Sequence, residues 1–131
     1  MSPRPSISSR RTKKILIVDD ELSIRRSLYN TFKKNHQIET ASTGSEAINM
    51  IEGDDFDLVL MDMQMPVMGG IEAAKIYNFT VTPDERIPIL ILTANATIEA
   101  QKECEDANIN AFLTKPIEAS RLIQTINELT Y

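Results

Sequence analysis

The chain has 131 residues, the size of one domain able to bury a core of its own. Hydrophobic residues make up 42% and charged residues 25%, a globular balance that excludes disordered and fibrous classes. The net charge is −5, yet the first fourteen residues hold five basic side chains (Arg4, Arg10, Arg11, Lys13, Lys14) and no acid, which leaves nine basic against 19 acidic in the rest. So acidic a body argues against direct nucleic-acid binding.

With aromatics at 5% and no Trp, the core must be aliphatic. The single cysteine, Cys104, excludes an internal disulfide and a Cys-rich zinc site. No apolar run approaches the roughly 18 residues needed to span a bilayer. The N-terminus has no apolar stretch of the kind a signal peptide carries. A cytoplasmic location, without membrane contact by this domain, is the expectation; it also fits the cytoplasmic part of a membrane-anchored protein.

In chain order, residues 1–12 are rich in Pro, Ser and Arg without hydrophobic period and read as a flexible tail, leaving 13–131 as the globular domain. The first strand-length apolar run is 14–18 (KILIV). Ile24, Leu28 and Phe32 then recur at helical intervals of four. A second run, 37–41 (QIETA), precedes the cluster Ala47, Ile48 and Ile51. The third, 57–61 (DLVLM), and the fourth, 87–92 (IPILIL), are aliphatic, as expected of strands covered on both faces. Ala100, Cys104 and Ala107 make a small helical stripe. The fifth run is 110–113 (NAFL), and Leu122, Ile126 and Leu129 close the chain with one apolar helix face. Five alternations of strand and helix mean an α/β fold with a parallel sheet and helices on both faces. In open sheets of this kind ligands bind beyond the carboxyl ends of the strands.

Those ends converge on a small set of polar residues. The first run leads into Asp19, Asp20 and Glu21, the third into Asp62, the fourth into Thr93 and Ala94, and the fifth into Lys115 and Pro116. Each has a plain structural reading. Asp19, Asp20 and Thr93 suit helix caps, Asp62 suits a turn with Pro66, Gly69 and Gly70, and Lys115 suits the surface. Their joint occurrence at the mouth of one sheet favours chemistry. Clustered carboxylates repel one another, and a hard divalent cation with oxygen ligands relieves this. A carboxylate can act as a nucleophile toward phosphorus; a lysine and a hydroxyl can hold phosphoryl oxygens, so that catalysis is positioning and charge stabilisation.

The segments KKILIVDDE, LVLMDMQMPVMGG, ILILTANA and AFLTKP resemble, in order, the motifs of the response-regulator receiver domains of two-component systems. The intervals of 42 residues from Asp20 to Asp62, 31 to Thr93 and 22 to Lys115 are also similar to that family's. The loop after Asp62 and the last third of the chain resemble receivers carried by hybrid sensor histidine kinases. The resemblance implies a doubly wound, flavodoxin-like (βα)5 sandwich with strand order 2-1-3-4-5. It implies Asp62 as phosphoacceptor and Mg²⁺ held by Asp20, Asp62 and the backbone carbonyl of Gln64, with Asp19 acting through water. Thr93 and Phe112 become the switch pair and Lys115 the phosphate-binding lysine, before a cis Lys115–Pro116 bond. Ala94 leaves the site open to a phosphodonor. Gln64 and Asn95 are placed to tune phosphoryl lifetime. The implied partner is a histidine kinase or phosphotransfer domain. The face of the fourth helix, fifth strand and fifth helix is where output or a weak dimer contact would form. Such a domain is a signalling switch that assists its own phosphorylation and dephosphorylation rather than an enzyme. An aspartyl-phosphate phosphatase would need a second Asp two residues after the nucleophile, where this chain has Gln64; a pseudo-receiver would lack one of the residues present.

His36 reads as a loop residue far from the site, Cys104 as packing, and the methionines at 61, 63, 65 and 68 as loop packing rather than soft-metal ligands.

Overall fold

A computed structural model describes residues 12–109 and 111–130; all but the last residue of the tail 1–12, and Asn110 of the fifth run, lie outside them. Five strands, β1 (Lys14–Val18), β2 (Gln37–Ala41), β3 (Leu58–Asp62), β4 (Ile89–Thr93) and β5 (Ala111–Thr114), alternate with five helices: α1 (Leu22–Phe32), α2 (Gly44–Gly53), α3 (Gly70–Thr80), α4 (Ile98–Asp106) and α5 (Ala119–Leu129). A short 3-10 helix at Pro83–Glu85 leads into β4. All pairings are parallel, in the order β2-β1-β3-β4-β5.

The strand period of two divides the core. Leu16, Val18, Val59, Met61, Ile89 and Ile91 point to one face, where they pack with Ala47 and Ile51 of α2, Ala73, Ala74 and Tyr77 of α3, and Cys104 of α4. Ile15, Ile17, Leu58, Leu60, Leu90 and Leu92 point to the other, against Phe32 of α1 and Leu122 and Ile126 of α5. Burying such aliphatic side chains contributes roughly 1.5–3 kcal/mol each before chain entropy is charged against it. β3 and β4 are buried along their whole length, whereas the edge strand β2 is buried only at Ala41. Cys104 packs in the core as expected, and Met61, Met63, Met65 and Met68 pack in or against the same cluster.

Three strands end one residue later than their apolar runs; β5 reaches Thr114, one residue beyond the fifth run. β3 begins at Leu58, because Asp57 turns its carboxylate back to the Lys14 amide (2.8 Å), and ends at Asp62. β4 begins at Ile89, after Pro88, which has no amide to give a ladder, and ends at Thr93. Asp62 and Thr93 are therefore the last residues of their strands, at the carboxyl edge of the sheet.

Candidate functional site

The parallel ladder delivers the polar residues to one place. The Asp19 amide donates to the Ala41 carbonyl, the Met63 amide to Leu92, and the Lys115 amide to Thr93 (2.7 Å), so the chain stays in register one residue beyond each strand. Asp19 and Asp62 are buried, at 1% and 7% exposure, while Asp20 is exposed. Carboxylate oxygens of all three come within 4.8 Å of one another. The Lys115 ammonium reaches into this group, 2.9 Å from Asp62 Oδ1 and 3.3 Å from Asp19 Oδ2.

Neither Asp19 nor Asp20 caps α1 through a side chain. The cap position is Glu21, whose amide donates to Asp19 Oδ1 at 2.9 Å. Asp19 thus has one oxygen on the Glu21 amide and one on Lys115, and Asp20 has no hydrogen bond or ion pair among the described residues. Thr93 caps no helix either; Thr97 does that for α4, accepting from the Ala100 amide. The buried Thr93 hydroxyl donates to the Asn95 carbonyl and accepts from its amide, both at 3.1 Å. It is therefore engaged with the loop to α4 and not with Asp62. Ala94, Asn95 and Gln64 are exposed around the mouth. Phe112 is half-buried and packs against the core cluster that α4 joins. It also lines a surface hollow of about 400 Å³ with Thr114, Pro116 and Arg121. The Lys115–Pro116 bond is cis.

The electrostatics follow from burial. Burial pushes the Asp62 carboxyl above its usual value and the Asp19 charge adds to this, against Lys115 and the Gln64 backbone amide, which favour the ionised form. Burial would lower Lys115, but hydrogen bonding to Asp62 and the charge of Asp19 outweigh it, and its pKa is raised. One ammonium thus stands against three carboxylates. The donor set is all oxygen and carries excess negative charge, which fits a hard divalent cation.

The α3 end of the site is built by backbone contact. The Gly70 amide donates to Met63 O, and a Cβ on Gly70 would stand 2.4 Å from the Asp62 carbonyl oxygen. Only a residue without Cβ lets α3 start against the strand that carries Asp62. In the same loop Val67 is fully exposed with φ 70°, a conformation unfavourable for a β-branched residue. Sequence reasoning placed Gly70 only in a turn and missed Arg25, whose guanidinium donates to the Asp19 carbonyl at 2.7 Å.

Residues 15–127 match the family described as response regulator receiver domain. The chain belongs to that family. Among curated relatives, the sensory/regulatory protein RpfC of Xanthomonas campestris pv. campestris is 30% identical over 121 residues, covering 91% of this chain and 17% of RpfC. The chain thus spans less than a fifth of that relative. Among solved structures, the chemotaxis response regulator CheY4 of Vibrio cholerae aligns with a TM-score of 0.82 at 31% identity, covering 90% of this chain and 98% of CheY4. The receiver domain of sensor histidine kinase PA1611 from Pseudomonas aeruginosa PAO1, described with a magnesium ion coordinated in the active site cleft, aligns with a TM-score of 0.81 at 25% identity, covering 91% of this chain and 98% of that one. The fold and strand order expected from the sequence are those observed. A receiver domain accepts a phosphoryl group, from a histidine kinase or a phosphotransfer protein. No helix among the described residues is long and apolar enough to cross a membrane.

Proposed function

We propose that Asp62 is the phosphoacceptor of this receiver domain and that Mg²⁺ is its cofactor, held by Asp20, Asp62 and the Gln64 carbonyl, with Asp19 acting through water. The observation that carries this reading is the Lys115 ammonium 2.9 Å from Asp62 Oδ1, at the end of β3, with Asp19 and Asp20 alongside. When bound, Mg²⁺ would offset the carboxylate charge and the charge on the phosphoryl oxygens.

An ionised oxygen of Asp62 attacks phosphorus in line. The P–N bond of a phosphohistidine breaks, and the imidazole nitrogen leaves with the electron pair. Lys115 exchanges its contact with the carboxylate for one with a phosphoryl oxygen. Its raised pKa keeps it charged for that purpose. Thr93 has its hydroxyl on the Asn95 backbone and must release that loop to reach a phosphoryl oxygen. The move opens space beside β5, which the Phe112 ring fills. A local charge event so biases a packing element with two arrangements. Gln64 and Asn95, exposed at the mouth, set the access of hydrolytic water. The domain thus assists its own phosphorylation and dephosphorylation but turns over no separate substrate. We place it in the cytoplasm, in the service of a histidine kinase or phosphotransfer domain, with output or a weak dimer contact on the α4, β5 and α5 face. The likeness to the receiver domain of sensor histidine kinase PA1611 favours a hybrid-kinase setting.

Incubation with a small-molecule phosphodonor and Mg²⁺ should add one base-labile phosphoryl group by intact mass, and Asp62→Asn should abolish it completely. In the same sample, amide signals should move at Thr93 and Phe112 as well as at the site. An Asp62→Asn protein that gains the group at the same rate refutes the assignment.

A further inference from the structure

We propose that Arg25 is a positioning residue for Mg²⁺, acting on Asp20 through the peptide that joins it to Asp19. The inference rests on the reading of this site as a Mg²⁺-dependent phosphoacceptor.

Asp20 is the weakly held member of the carboxylate group. It is exposed, and its side chain has no hydrogen bond or ion pair among the described residues. Where its carboxylate can reach is therefore set by its backbone and by its own side-chain rotamers, with no neighbouring side chain to hold it. That backbone lies in a turn of one residue between the end of the β1 ladder and the start of α1. On one side the Asp19 amide is fixed by the Ala41 carbonyl and the Asp19 side chain by the Glu21 amide. On the other, the Glu21 carbonyl accepts the first helical bond, from the Arg25 amide. The remaining freedom is rotation of the Asp19–Asp20 peptide plane, whose carbonyl has no ladder partner. The Arg25 guanidinium takes that carbonyl at 2.7 Å. A hydrogen bond from a charged donor to the carbonyl of a buried residue is among the stronger kind. It fixes the plane from which the Asp20 Cα and carboxylate project.

Arg25 is badly placed for any purpose of its own helix. It sits near the N-terminus of α1, where the helix dipole disfavours cations, and no acidic residue occupies the first turn to offset it. Helical side chains lean toward the N-terminus, which brings this one back over the β1–α1 turn. Its neighbour Arg26 is exposed on the same turn and has no such contact among the described residues.

Charge and position predict opposite signs. A guanidinium near the site repels a divalent cation, so if charge alone mattered its removal would tighten Mg²⁺ binding. If Arg25 acts by orienting Asp20, its removal weakens binding. Loss of a residue that orients a metal ligand typically costs about 10–100-fold in affinity. The test is Mg²⁺ titration of the folded domain, followed by amide shifts of residues 19–21 and 62–64 and without any phosphodonor. Arg25→Ala should bind about tenfold more weakly than wild type. Arg25→Lys, which keeps one charged donor, should recover part of the loss. Arg26→Ala, which removes the same charge without the contact, should bind as wild type does. Equal or tighter binding by Arg25→Ala, or an equal loss in Arg26→Ala, overturns the inference while leaving the phosphoacceptor reading intact. Absence of Mg²⁺ binding in wild type overturns both.

Discussion

The two ends of the sheet each carry a lysine among carboxylates, and they are built on opposite terms. At the amino end, the Lys14 ammonium pairs with Asp54 and lies 3.3 Å from Glu39, all at or near the surface. The fully buried carboxylate there, Asp57, accepts the Lys14 amide and closes the start of β3. At the carboxyl end, Lys115 serves two buried carboxylates, and the third, Asp20, has no partner of its own among the described residues. Surface pairs of the first kind are worth little, and their carboxylates are easily satisfied. A group of the second kind is short of positive charge, which suits a hard cation. Identical residue types thus secure the strand starts at one end and leave a reactive site at the other.

Glycine substitutions give the largest contrast. Gly70→Ala at the carboxyl end forces a Cβ into the Asp62 backbone, at 2.4 Å from the carbonyl oxygen, and neither the strand nor the helix start can yield cheaply. Overpacking of this sort should cost about 1–3 kcal/mol, and because it displaces the residue that carries the carboxylate, it should also slow phosphorylation. Gly53→Ala, at the last position of α2, meets nothing within 4 Å among the described residues. It should gain about 0.5–1 kcal/mol. Denaturation midpoints of the two variants check both signs; a stable, fully active Gly70→Ala protein would remove the close approach from the account of the site.

Asp57→Ala comes next. It leaves the Lys14 amide without its acceptor inside the sheet, a loss of about 1–3 kcal/mol. Its distance from the chemistry makes it a clean separation of the two ends: stability should fall, while Mg²⁺ affinity and the yield of the phosphoryl adduct should hold. Asp57→Asn, which keeps an acceptor oxygen, should lose less. A matching loss of Mg²⁺ affinity in Asp57→Ala would show that the ends are coupled through β3.

How much of this was legible beforehand depends on the kind of interaction. The strands were visible because their apolar residues are continuous, and the site because the strand ends fall at fixed places once the sheet is parallel. α3 showed no stripe of its own. Its buried residues include Gly70, Ile71, Ala73, Ala74 and Tyr77, while Ile76 and Phe79 are exposed, so apolar character runs round the helix. Asp57 looked like the first residue of a strand. Arg25 falls in no motif, although a cation near a helix N-terminus was a signal that could have been followed. Asn78, which holds the Ala107 carbonyl at 2.6 Å, gave no signal. What these residues share is a partner on a backbone carbonyl or amide that the fold brings near, and such partners have no pattern in the sequence.

The smallest effect is the pH dependence, and the two ends should move in opposite directions. His36, between α1 and β2, accepts the Lys13 amide through Nδ1 at 3.1 Å and tilts against the Phe32 ring. Burial, with the Lys13 charge adding to it, holds its imidazole below the usual value of 6.5. The unfolded chain therefore binds this proton more readily, and the contribution of His36 is present above pH 6.5 and lost as pH falls through its lowered value. Protonation at Nδ1 would replace the acceptor with a donor facing the Lys13 amide. Asp62 runs the other way. Its carboxyl is raised above 3.8 by burial and by Asp19, so the folded state takes up this proton first, and acidification through the raised value relieves repulsion at the site. In wild type the two slopes have opposite signs and partly offset each other. His36→Gln should remove the loss below pH 6.5 and leave the relief that comes from Asp62. Asp62→Asn should be more stable than wild type near neutrality, because the repulsion is gone, and should lose that advantage as the pH drops into the range where wild-type Asp62 protonates. Chemical denaturation at half-unit intervals from pH 7.5 to the acid limit of folding measures both. An Asp62→Asn advantage that stays constant with pH would mean that packing, and not carboxylate charge, distinguishes the two proteins.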